Sequence, residues 1–364
     1  MSPITADFQS DLPLHPKAAE LLHTFFERGW SDPNRLHHRA ASLRILIAEA
    51  REEIAAALGC AADELEFVGE LGFGFWSALS GLLNKEPRRE IGFIHSAVDR
   101  QVVHAFAREH QARGGSVTTI PVSSNGECEY LLSNETSGRR VVSWQATNRE
   151  NGVIQSPPML SVNDDLFADM TAAIPGTPLP ENWSVALWDP QRFAGPQGIA
   201  ILAISKNSLW KSPLPPMDNK RTFGSYSKPL LLATAVSLTN YLSDFRRSAS
   251  MIDELHETAR SLISQKISDI KLLDASVKRD KRYLPLGIRN VVGEELVRRV
   301  EARGFLIDAG SACGSGPLSP SHVFDAMGWE GLAHIRLSLK TDSTKKQLVE
   351  LIDALSVSVE ELRS

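Results

Sequence analysis

The sequence predicts an α/β protein with a largely parallel sheet, followed by a smaller α+β domain. From Leu65 onward, short apolar runs alternate with longer stretches of helical period, which is the pattern of successive β-α-β units. A sheet built in this way carries helices on both faces, so its strands are expected to be buried on both sides. After Pro229 the order changes to one long helical segment and then mixed elements, which predicts a second domain.

The periodicity also places the individual elements. Two helices, at residues 17–28 and 41–58, are predicted before the first strand, and Gly59 is a typical C-terminal stop for the second helix. The predicted strands are apolar runs at residues 65–68, 91–95, 117–122, 140–144, 166–169, 185–189, 200–204 and 284–292. The other predicted helices lie at residues 72–83, 102–113, 230–267, 293–303 and 343–362.

Length and charge limit the classes of function. A chain of 364 residues is too long for one ordinary core, and we expect a large domain at residues 15–235 and a small one at 236–364 that also includes residues 1–14. The net charge of −5 and the pI near 6.1 imply no broad basic face. Neither a nucleic acid nor a membrane surface is therefore an expected partner.

Location and redox state are also suggested by the sequence. No apolar run reaches the length of a membrane span, and the N-terminus lacks the order of a signal peptide, so we expect a cytoplasmic protein. The three cysteines, Cys60, Cys128 and Cys313, are few and far apart, which argues for reduced thiols and against a zinc site. The adjacent His37 and His38 are a weak metal signal, and no metal is expected.

A C-terminal motif connects the chain to a known family. Residues 308–315 read DAGSACGS, residues 318–323 read LSPSHV and residues 335–339 read IRLSL. This series resembles the C-terminal signature of cysteine desulfurases, which belong to the class V aminotransferase group of fold-type-I pyridoxal-phosphate (PLP) enzymes. The resemblance implies that Cys313 carries the persulfide and that Arg336 binds the substrate carboxylate. Residues 32–33 with His38, 147–155 and 195–198 match the same family in the same order, so it extends over nearly the whole chain.

Two positions decide how the cofactor would be held. Asp169 falls where the family places the aspartate that pairs with the pyridinium nitrogen of PLP. Arg192, three residues before Gly195, falls at the position of the Schiff-base lysine. A guanidinium stays protonated at physiological pH, so Arg192 cannot form an aldimine with PLP.

Other positions that the resemblance assigns to PLP are also substituted. The ring-stacking histidine falls on Arg100, the asparagine beside the ring hydroxyl on Arg149, and the glutamine near the same hydroxyl on Ala172. The family's phosphate-binding turn reads Glu70-Leu71-Gly72, the serine and histidine before the lysine read Asp189 and Gln191, and the N-terminal Ala-Thr-Thr reads Ser10-Asp11-Leu12. Carboxylates at Glu70 and Asp189 would repel a phosphate dianion. Gly72-Phe73-Gly74 lacks the spacing of a complete nucleotide fingerprint and is interpreted as the remnant of this turn.

These substitutions predict a rearranged pocket. Without a pyridinium, Asp169 needs another cation, and we expect a direct ion pair with Arg192. Arg100, Arg149 and Arg192 are expected to converge on the former ring site and to favour an anionic ligand, unless nearby carboxylates neutralise them. Two simpler interpretations stay open, in which Cys313 is a small core residue and Arg336 pairs with a carboxylate of the small domain.

These observations lead to three hypotheses about the function of the chain. The leading hypothesis is a homodimer that does not hold PLP as a Schiff base, a pseudoenzyme or repurposed protein that binds a partner or a small anionic ligand. The dimer is implied by the resemblance, because the turn at residues 225–229 matches one that contacts the phosphate of the neighbouring subunit. The second hypothesis is an active desulfurase or class V aminotransferase that binds PLP non-covalently or through Lys206 or Lys228. The third is a PLP-independent sulfur relay in which Cys313 exchanges a persulfide with a sulfur-transfer protein.

Overall fold

The structure is a computed structural model that describes residues 4–29, 31–83, 91–132, 138–215, 226–310 and 321–364. The strands are β1 (Ala6–Asp7), β2 (Leu65–Val68), β3 (Ile91–Ser96), β4 (Ser116–Ile120), β5 (Arg139–Gln145), β6 (Asp164–Asp169), β7 (Trp183–Trp188), β8 (Ala200–Ile204), β9 (Ile270–Lys271), β10 (Tyr283–Ile288), β11 (Phe305–Leu306), β12 (Asp308–Ala309) and β13 (Ala333–Ser338). The helices are α1 (Pro16–Arg28), α2 (His38–Leu58), α3 (Leu71–Leu83), α4 (Gln101–Ala112), α5 (Lys228–Lys266), α6 (Gly293–Ala302), α7 (His322–Ala326) and α8 (Lys345–Arg363). A short 3-10 helix at Pro190–Phe193 follows β7.

The larger sheet has seven strands in the order β2-β8-β7-β6-β5-β3-β4. β8 is antiparallel to both of its neighbours, and the pairs among β7, β6, β5, β3 and β4 are parallel. Alternate residues of each strand face opposite layers: in β6, Leu166 and Ala168 pack with the layer that includes α2 and α5, whereas Phe167 packs with α3 and α4. The predicted α/β class and the largely parallel sheet are confirmed.

A second, four-stranded sheet has the order β12-β13-β10-β9 and is antiparallel throughout. Its core joins Leu286 and Ile335 of the sheet to Leu348 and Leu355 of α8. Phe8 enters this core from the N-terminus, because β1 pairs in parallel with β11. The N-terminal segment is thereby positioned beside the C-terminal sheet.

The 39-residue helix α5 connects the two cores. Residues of its first half, such as Leu231 and Leu238, are buried in the core of the large sheet, whereas Ile252 and Ile263 are buried in the core of the small one. This is the connecting helix that the sequence predicts. The expected domain bounds, 15–235 and 236–364, remain a prediction. None of the helices in the described part of the chain is long and apolar enough to cross a membrane.

Candidate functional site

The parallel strands deliver their carboxyl ends to one edge of the large sheet, where a cavity of about 280 Å³ opens. Its wall comes from the start of α3, the start of α4, the end of β5, the loop that follows β5, and α7. The polar side chains that line it are Asp99, Arg100, Gln101, Gln145, Asn148, Arg149, Glu150 and His322. Gly72 lines it as well, so three of the predicted cofactor positions, Gly72, Arg100 and Arg149, meet at this cavity.

Asp169, at the end of β6, is buried behind this cavity and has a cationic partner. Its Oδ1 accepts hydrogen bonds from the backbone N–H of Thr171 at 2.9 Å and from the Thr171 hydroxyl at 2.5 Å. Its Oδ2 lies 3.4 Å from Nε of Arg100, whose Nη2 also donates to the Thr171 hydroxyl at 2.5 Å. The Arg100 guanidinium lies 5.6 Å from the ring centre of Phe75. Arg100 is therefore the counter-ion of Asp169.

The predicted Asp169–Arg192 ion pair is wrong. Arg192 lies in the 3-10 helix, where its Nη1 donates to the carbonyl oxygen of Ser10 at 3.0 Å. Its Nε lies 3.6 Å from Asp189 and its Nη2 3.8 Å from Asp11. Asp189 is three residues earlier on the same turn and supplies the nearer carboxylate, and Arg100 already neutralises Asp169.

The expected convergence of three arginines is correct for only two of them. Arg100 and Arg149 line the 280 Å³ cavity, whereas Arg192 lines a separate small cavity of about 20 Å³ together with Ser10, Tyr241 and Arg282. The 3-10 helix explains the difference, because it ends at Ala194 in a left-handed conformation (φ 56°) and turns Arg192 toward the N-terminal segment.

Arg336, on β13, is held by groups of the chain itself. Its guanidinium donates to Asp308 Oδ2 at 2.6 Å through Nη2 and at 3.2 Å through Nε, and its Nη1 donates to the carbonyl oxygen of Arg149 at 2.7 Å. The Ser10 hydroxyl accepts from Nη2 at 3.0 Å. Burial raises the pKa of Asp308, but the charge and hydrogen bonds of Arg336 outweigh burial and lower it overall. Arg336 thus pairs with a carboxylate of the C-terminal sheet, as the simpler interpretation expects.

Ser10 contacts both Arg192 and Arg336. Its carbonyl oxygen accepts from Arg192, its hydroxyl accepts from Arg336, and its backbone N–H donates to Asp308 at 2.8 Å. The sequence comparison singled out Ser10 only as a departure from the family's Ala-Thr-Thr. In the structure it links Arg192 and Arg336, the positions that the resemblance assigns to the Schiff-base lysine and to the substrate carboxylate.

The N-terminus of α3 carries its own carboxylate. Glu70 accepts hydrogen bonds from the backbone N–H groups of Gly72 at 3.0 Å and Phe73 at 2.6 Å. A Cβ atom at position 72 would lie 3.0 Å from Glu70 Oε1, so the carboxylate packs closely over the glycine. These N–H groups are the ones that would bind an anion at this helix end.

Asp99 is a site residue that the sequence comparison missed. It is 1% exposed, lines the cavity, and accepts a hydrogen bond from the backbone N–H of Ser96 at 3.0 Å. Burial raises the pKa of Asp99 to about 7; the charge of Asp169 adds to the rise and the Ser96 hydrogen bond opposes it. A charged residue directly after the buried strand β3 was the available signal.

Three histidine rings lie beside the cavity. The His104 ring packs edge-on against His95 at 4.8 Å and against His322 at 5.2 Å between ring centres. His322 donates through Nε2 to the carbonyl oxygen of Asp99 at 2.8 Å, and its neighbour Ser321 hydrogen-bonds Glu150. Burial, and then the neighbouring His95 and His322, lower the pKa of His104 to about 4. Hydrogen bonds of His322 and Ser321 therefore hold the start of α7 against the cavity wall.

The other candidate residues lie elsewhere. The predicted persulfide cysteine, Cys313, lies outside the described residues. Lys206 pairs with Asp63 at 2.9 Å, and Lys228 lies 3.3 Å from the ring centre of Tyr226. Neither lysine lines the 280 Å³ cavity.

Cys60, Cys128 and His37 have structural surroundings. Burial raises the pKa of both Cys60 and Cys128 to about 12, so neither is an activated thiol. His37 caps α2 by accepting from the backbone N–H of Ala40 at 3.2 Å. Across the ranges that the structure describes, no cluster of histidine, cysteine and carboxylate side chains has the arrangement of a metal site.

The seven-stranded sheet and the smaller antiparallel sheet, bridged by a long helix, define the fold-type-I architecture of PLP-dependent enzymes. Among solved structures, a NifS-like protein superimposes with a TM-score of 0.85 at 18% identity, covering 98% of this chain and 99% of that one. A second NifS-like protein, from Rickettsia africae, gives a TM-score of 0.80 at 16% identity over 99% of this chain and all of that one. A cysteine desulfurase from Thermococcus onnurineus, solved in its apo form, gives 0.78 at 11% identity over 98% of this chain and 94% of that one.

Curated relatives make the resemblance more specific. The cysteine desulfurase IscS of Rickettsia bellii is 24% identical over 383 aligned positions, which cover 99% of this chain and 92% of the relative. The enzyme of the same name from Dictyoglomus turgidum is 24% identical over 380 positions, covering 98% of this chain and 95% of the relative. No family model matches the chain. The chain is similar to cysteine desulfurases over nearly its whole length, and the resemblance predicted from its motifs is confirmed.

Proposed function

We propose that this chain is a cysteine desulfurase-like protein that does not hold PLP as a Schiff base, and that it acts as a pseudoenzyme or a repurposed binding protein. The observation that carries the proposal is the contact between Asp169 and Arg100. The resemblance assigns Asp169 to the pyridinium of PLP, and here a side chain of the protein supplies the positive charge instead.

The position assigned to the Schiff-base lysine supports the same conclusion. A guanidinium does not lose its proton to become a nucleophile, so Arg192 cannot form the covalent bond to the cofactor. Arg192 also contacts Ser10, Asp11 and Asp189 rather than the 280 Å³ cavity.

The phosphate position fits PLP poorly as well. Glu70 uses the N–H groups at the start of α3 that a phosphate dianion would need. A phosphate entering this place would have to displace a carboxylate and would be repelled by it.

Substrate binding is affected in the same way. Arg336, which the resemblance assigns to the substrate carboxylate, is neutralised by Asp308 through two hydrogen bonds. A free amino acid would have to compete with a carboxylate that is already in place, and breaking such a partly buried pair is costly.

The cavity is proposed to bind a small ligand of low net charge. Arg100 and Arg149 offer positive groups to an anion, but Asp99 and Glu150 line the same cavity. This mixture of charges favours a singly charged or zwitterionic molecule over a phosphate dianion. Binding of a protein partner is the other form of the proposal.

The homodimer remains part of the proposal. Several large apolar side chains near the N-terminal helices are exposed: Leu36 at 99%, Ile45 at 59% and Leu46 at 46%. We propose that a protein contact covers these exposed apolar side chains. Light scattering at micromolar concentration is expected to give twice the mass of the chain, and a monomer would contradict this part of the proposal.

The decisive experiment is the visible absorbance of the purified protein after incubation with PLP, followed by borohydride reduction and peptide mapping. We expect no aldimine band and no reduced lysine adduct, whereas a cysteine desulfurase treated in parallel gives both. A coloured protein whose adduct maps to Lys206 or Lys228 would overturn the proposal in favour of an active enzyme. The sulfur relay through Cys313 stays a prediction, and a persulfide that is formed by a desulfurase donor and lost in Cys313→Ser would support it.

A further inference from the structure

A pair of arginines lies outside the candidate cavity, where the second half of α5 faces residues 272–282. Arg260 of α5 donates through Nη2 to the carbonyl oxygen of Leu273 at 2.9 Å. Arg279 donates through Nε to the carbonyl oxygen of Val277 at 3.3 Å. Each arginine thus donates one hydrogen bond to the backbone of the same segment. The other nitrogen atoms of the two guanidiniums remain available for further hydrogen bonds.

Those remaining groups have none among the described residues. Arg260 Nη1 and both Nη atoms of Arg279 are buried and make no hydrogen bond there. Nε2 of His256, one turn before Arg260 on α5, is buried and unpartnered in the same way. The His256 side chain is fixed by its other nitrogen, Nδ1, which donates to the carbonyl oxygen of Lys281 at 3.0 Å.

The positive charges are only partly balanced, because the charges of Glu257 and Asp274 act on Arg279 from beyond ion-pair distance. Within the described ranges, neither Arg260 nor Arg279 forms an ion pair with a carboxylate. The nearby Glu257 and Asp253 face Lys281 instead, at 3.3 Å and 3.9 Å. Burial, and then the neighbouring charge of Arg260, lower the pKa of Arg279, so the two cations are close enough to disfavour each other.

We propose that Arg260 and Arg279 form a binding site for a doubly charged tetrahedral oxyanion of the phosphate class. Three unpartnered Nη groups on two forked guanidiniums, each with two N–H bonds, suit an acceptor with several oxygens, because each guanidinium presents its donors in a fixed plane. A water molecule would satisfy single N–H groups, but only an anion would also remove the repulsion between the two charges. In the neutral His256 ring, whose Nδ1 donates, Nε2 carries a lone pair, so the arginines are the donors.

The cluster is separate from the cavity described above. None of its side chains lines that cavity. Both arginine side chains are only partly buried, so an anion can approach from solvent once the guanidinium ends turn toward it. The proposal does not depend on whether PLP binds elsewhere in the chain.

The test is thermal unfolding in increasing inorganic phosphate or sulfate, with sodium chloride added to keep the ionic strength constant. We expect the midpoint of the parent protein to rise by at least ~2 °C at saturating phosphate or sulfate, because a ligand that binds only the folded state stabilises it. The double variant Arg260→Met with Arg279→Met is expected to lose this rise. Arg298→Met is the matched control, since the Arg298 side chain is 76% exposed and lies 4.0 Å from Glu294; it should keep the full rise.

A second control separates this site from the cavity. Arg100→Met removes a cation from the 280 Å³ cavity and should leave the phosphate response intact, because Arg260 and Arg279 are unchanged. A response that disappears in Arg100→Met but persists in the double variant would overturn the proposal. No rise in the parent protein, or an equal rise with acetate, would overturn it too.

Single variants keep the test valid if the double variant does not fold. Arg260→Gln and Arg279→Gln should each weaken phosphate binding by at least ~10-fold in calorimetry, since each loses a charge-assisted pair of donors. In phosphate-free buffer, Arg279→Gln is expected to leave the midpoint unchanged or raise it. A fall of equal size with and without phosphate would show a purely structural role and contradict the proposal. Glycerol phosphate is the last arm: a rise equal to that with inorganic phosphate supports a site that takes phosphate groups on larger molecules, and no rise supports one for the free anion.

Discussion

The two arginine-rich regions of this molecule differ in how their charges are compensated. At the positions that the resemblance assigns to cofactor and substrate, three arginines have a carboxylate nearby: Arg100 has Asp169, Arg192 has Asp189, and Arg336 has Asp308. At the second cluster, Arg260 and Arg279 have backbone carbonyls as hydrogen-bond partners, and Glu257 and Asp274 act on Arg279 only from beyond ion-pair distance. The chain itself compensates the three cations of the first region at close range, whereas the two cations of the second have, among the described residues, no carboxylate within ion-pair distance.

This difference has an energetic meaning. A half-buried cation with a carboxylate beside it is stabilised at the cost of desolvating both groups, and removing one partner leaves the other uncompensated. A half-buried cation beside another cation is destabilised, so removing one of them relieves the other. The same substitution, arginine to methionine, is therefore expected to act in opposite directions in the two regions.

The largest expected effect is at Arg100. Arg100→Met leaves Asp169, which is 1% exposed, without its cation and should lower the free energy of unfolding by ~3–5 kcal/mol. The double variant Arg100→Met with Asp169→Asn should recover most of that loss. Urea unfolding of the parent, both single variants and the double variant measures the coupling. Arg298→Met is the control, and an Arg100→Met protein as stable as the parent would remove the basis of the comparison.

A second effect concerns pH and the buried histidines. Burial first, and then neighbouring charges, lower the pKa of His104 and of His256 from 6.5 to about 4. Between pH 6.5 and about 4 the unfolded chain binds protons that the folded chain does not. The stability contributed by the two neutral histidines is therefore complete above pH 6.5 and is lost as the pH falls toward 4. Each histidine should account for on the order of 1–3 kcal/mol of that loss.

The titration of Asp99 changes the free energy of unfolding in the opposite direction over this pH range. Its pKa is raised to about 7 when folded, so the folded chain binds a proton between pH 7 and 3.8 that the unfolded chain does not, and stability rises as the pH falls through this range. The contributions are separated by urea unfolding of His104→Gln and of Asp99→Asn across this range. His104→Gln should flatten the loss at low pH, and Asp99→Asn should steepen it; an unchanged profile in both variants would contradict these assignments.

Much of the fold could be predicted because the buried strands carry a strong local pattern. β2 and β8 have the bounds that the apolar runs predict, and α2 ends at Gly59, whose φ of 77° suits glycine. The predicted strand at 284–292 was too long, because its apolar residues continue past the point where Asn290 adopts a left-handed conformation (φ 58°). β10 therefore ends at Ile288.

The pairing of strands that are far apart in the sequence and the direction of long side chains could not be predicted. β1 and β11 are two residues each and pair across nearly the whole chain. Strands this short contain no alternation of apolar and polar residues from which they could be predicted. At the candidate site, the sequence showed that Asp169 needed a cation and offered three arginines. It could not show that Arg100 reaches Asp169 from the start of α4 while the 3-10 helix turns Arg192 toward Ser10.

A smaller effect is expected at Arg192. Arg192→Ala removes the hydrogen bond to Ser10 and leaves Asp189, which is 5% exposed, without a cation, so we expect a loss of ~1–3 kcal/mol in urea unfolding. Arg192→Lys should be milder, because it keeps the charge. Since Arg100 and Glu70 remain in place, Arg192→Lys alone should not generate an aldimine band with PLP. An aldimine band in the Arg192→Lys protein would show that the lysine was the only group missing for covalent PLP binding.

The smallest effect on stability is expected at Glu70, where it tests whether the carboxylate takes the place of a phosphate. Glu70→Ala removes two hydrogen bonds at the start of α3 and should lower the free energy of unfolding by ~1 kcal/mol, as for other lost helix caps. In exchange it frees the N–H groups of Gly72 and Phe73 and removes a negative charge, so this helix end becomes able to bind an anion. Phosphate should then stabilise Glu70→Ala more than the parent, and this gain should persist when Arg260 and Arg279 are both replaced by methionine. Glu70→Gln is the matched control, because its amide oxygen can still cap the helix while the repelling charge is gone. If phosphate stabilises Glu70→Ala no more than the parent, the N-terminus of α3 does not bind phosphate even without the carboxylate, and Glu70 is not the group that excludes the anion.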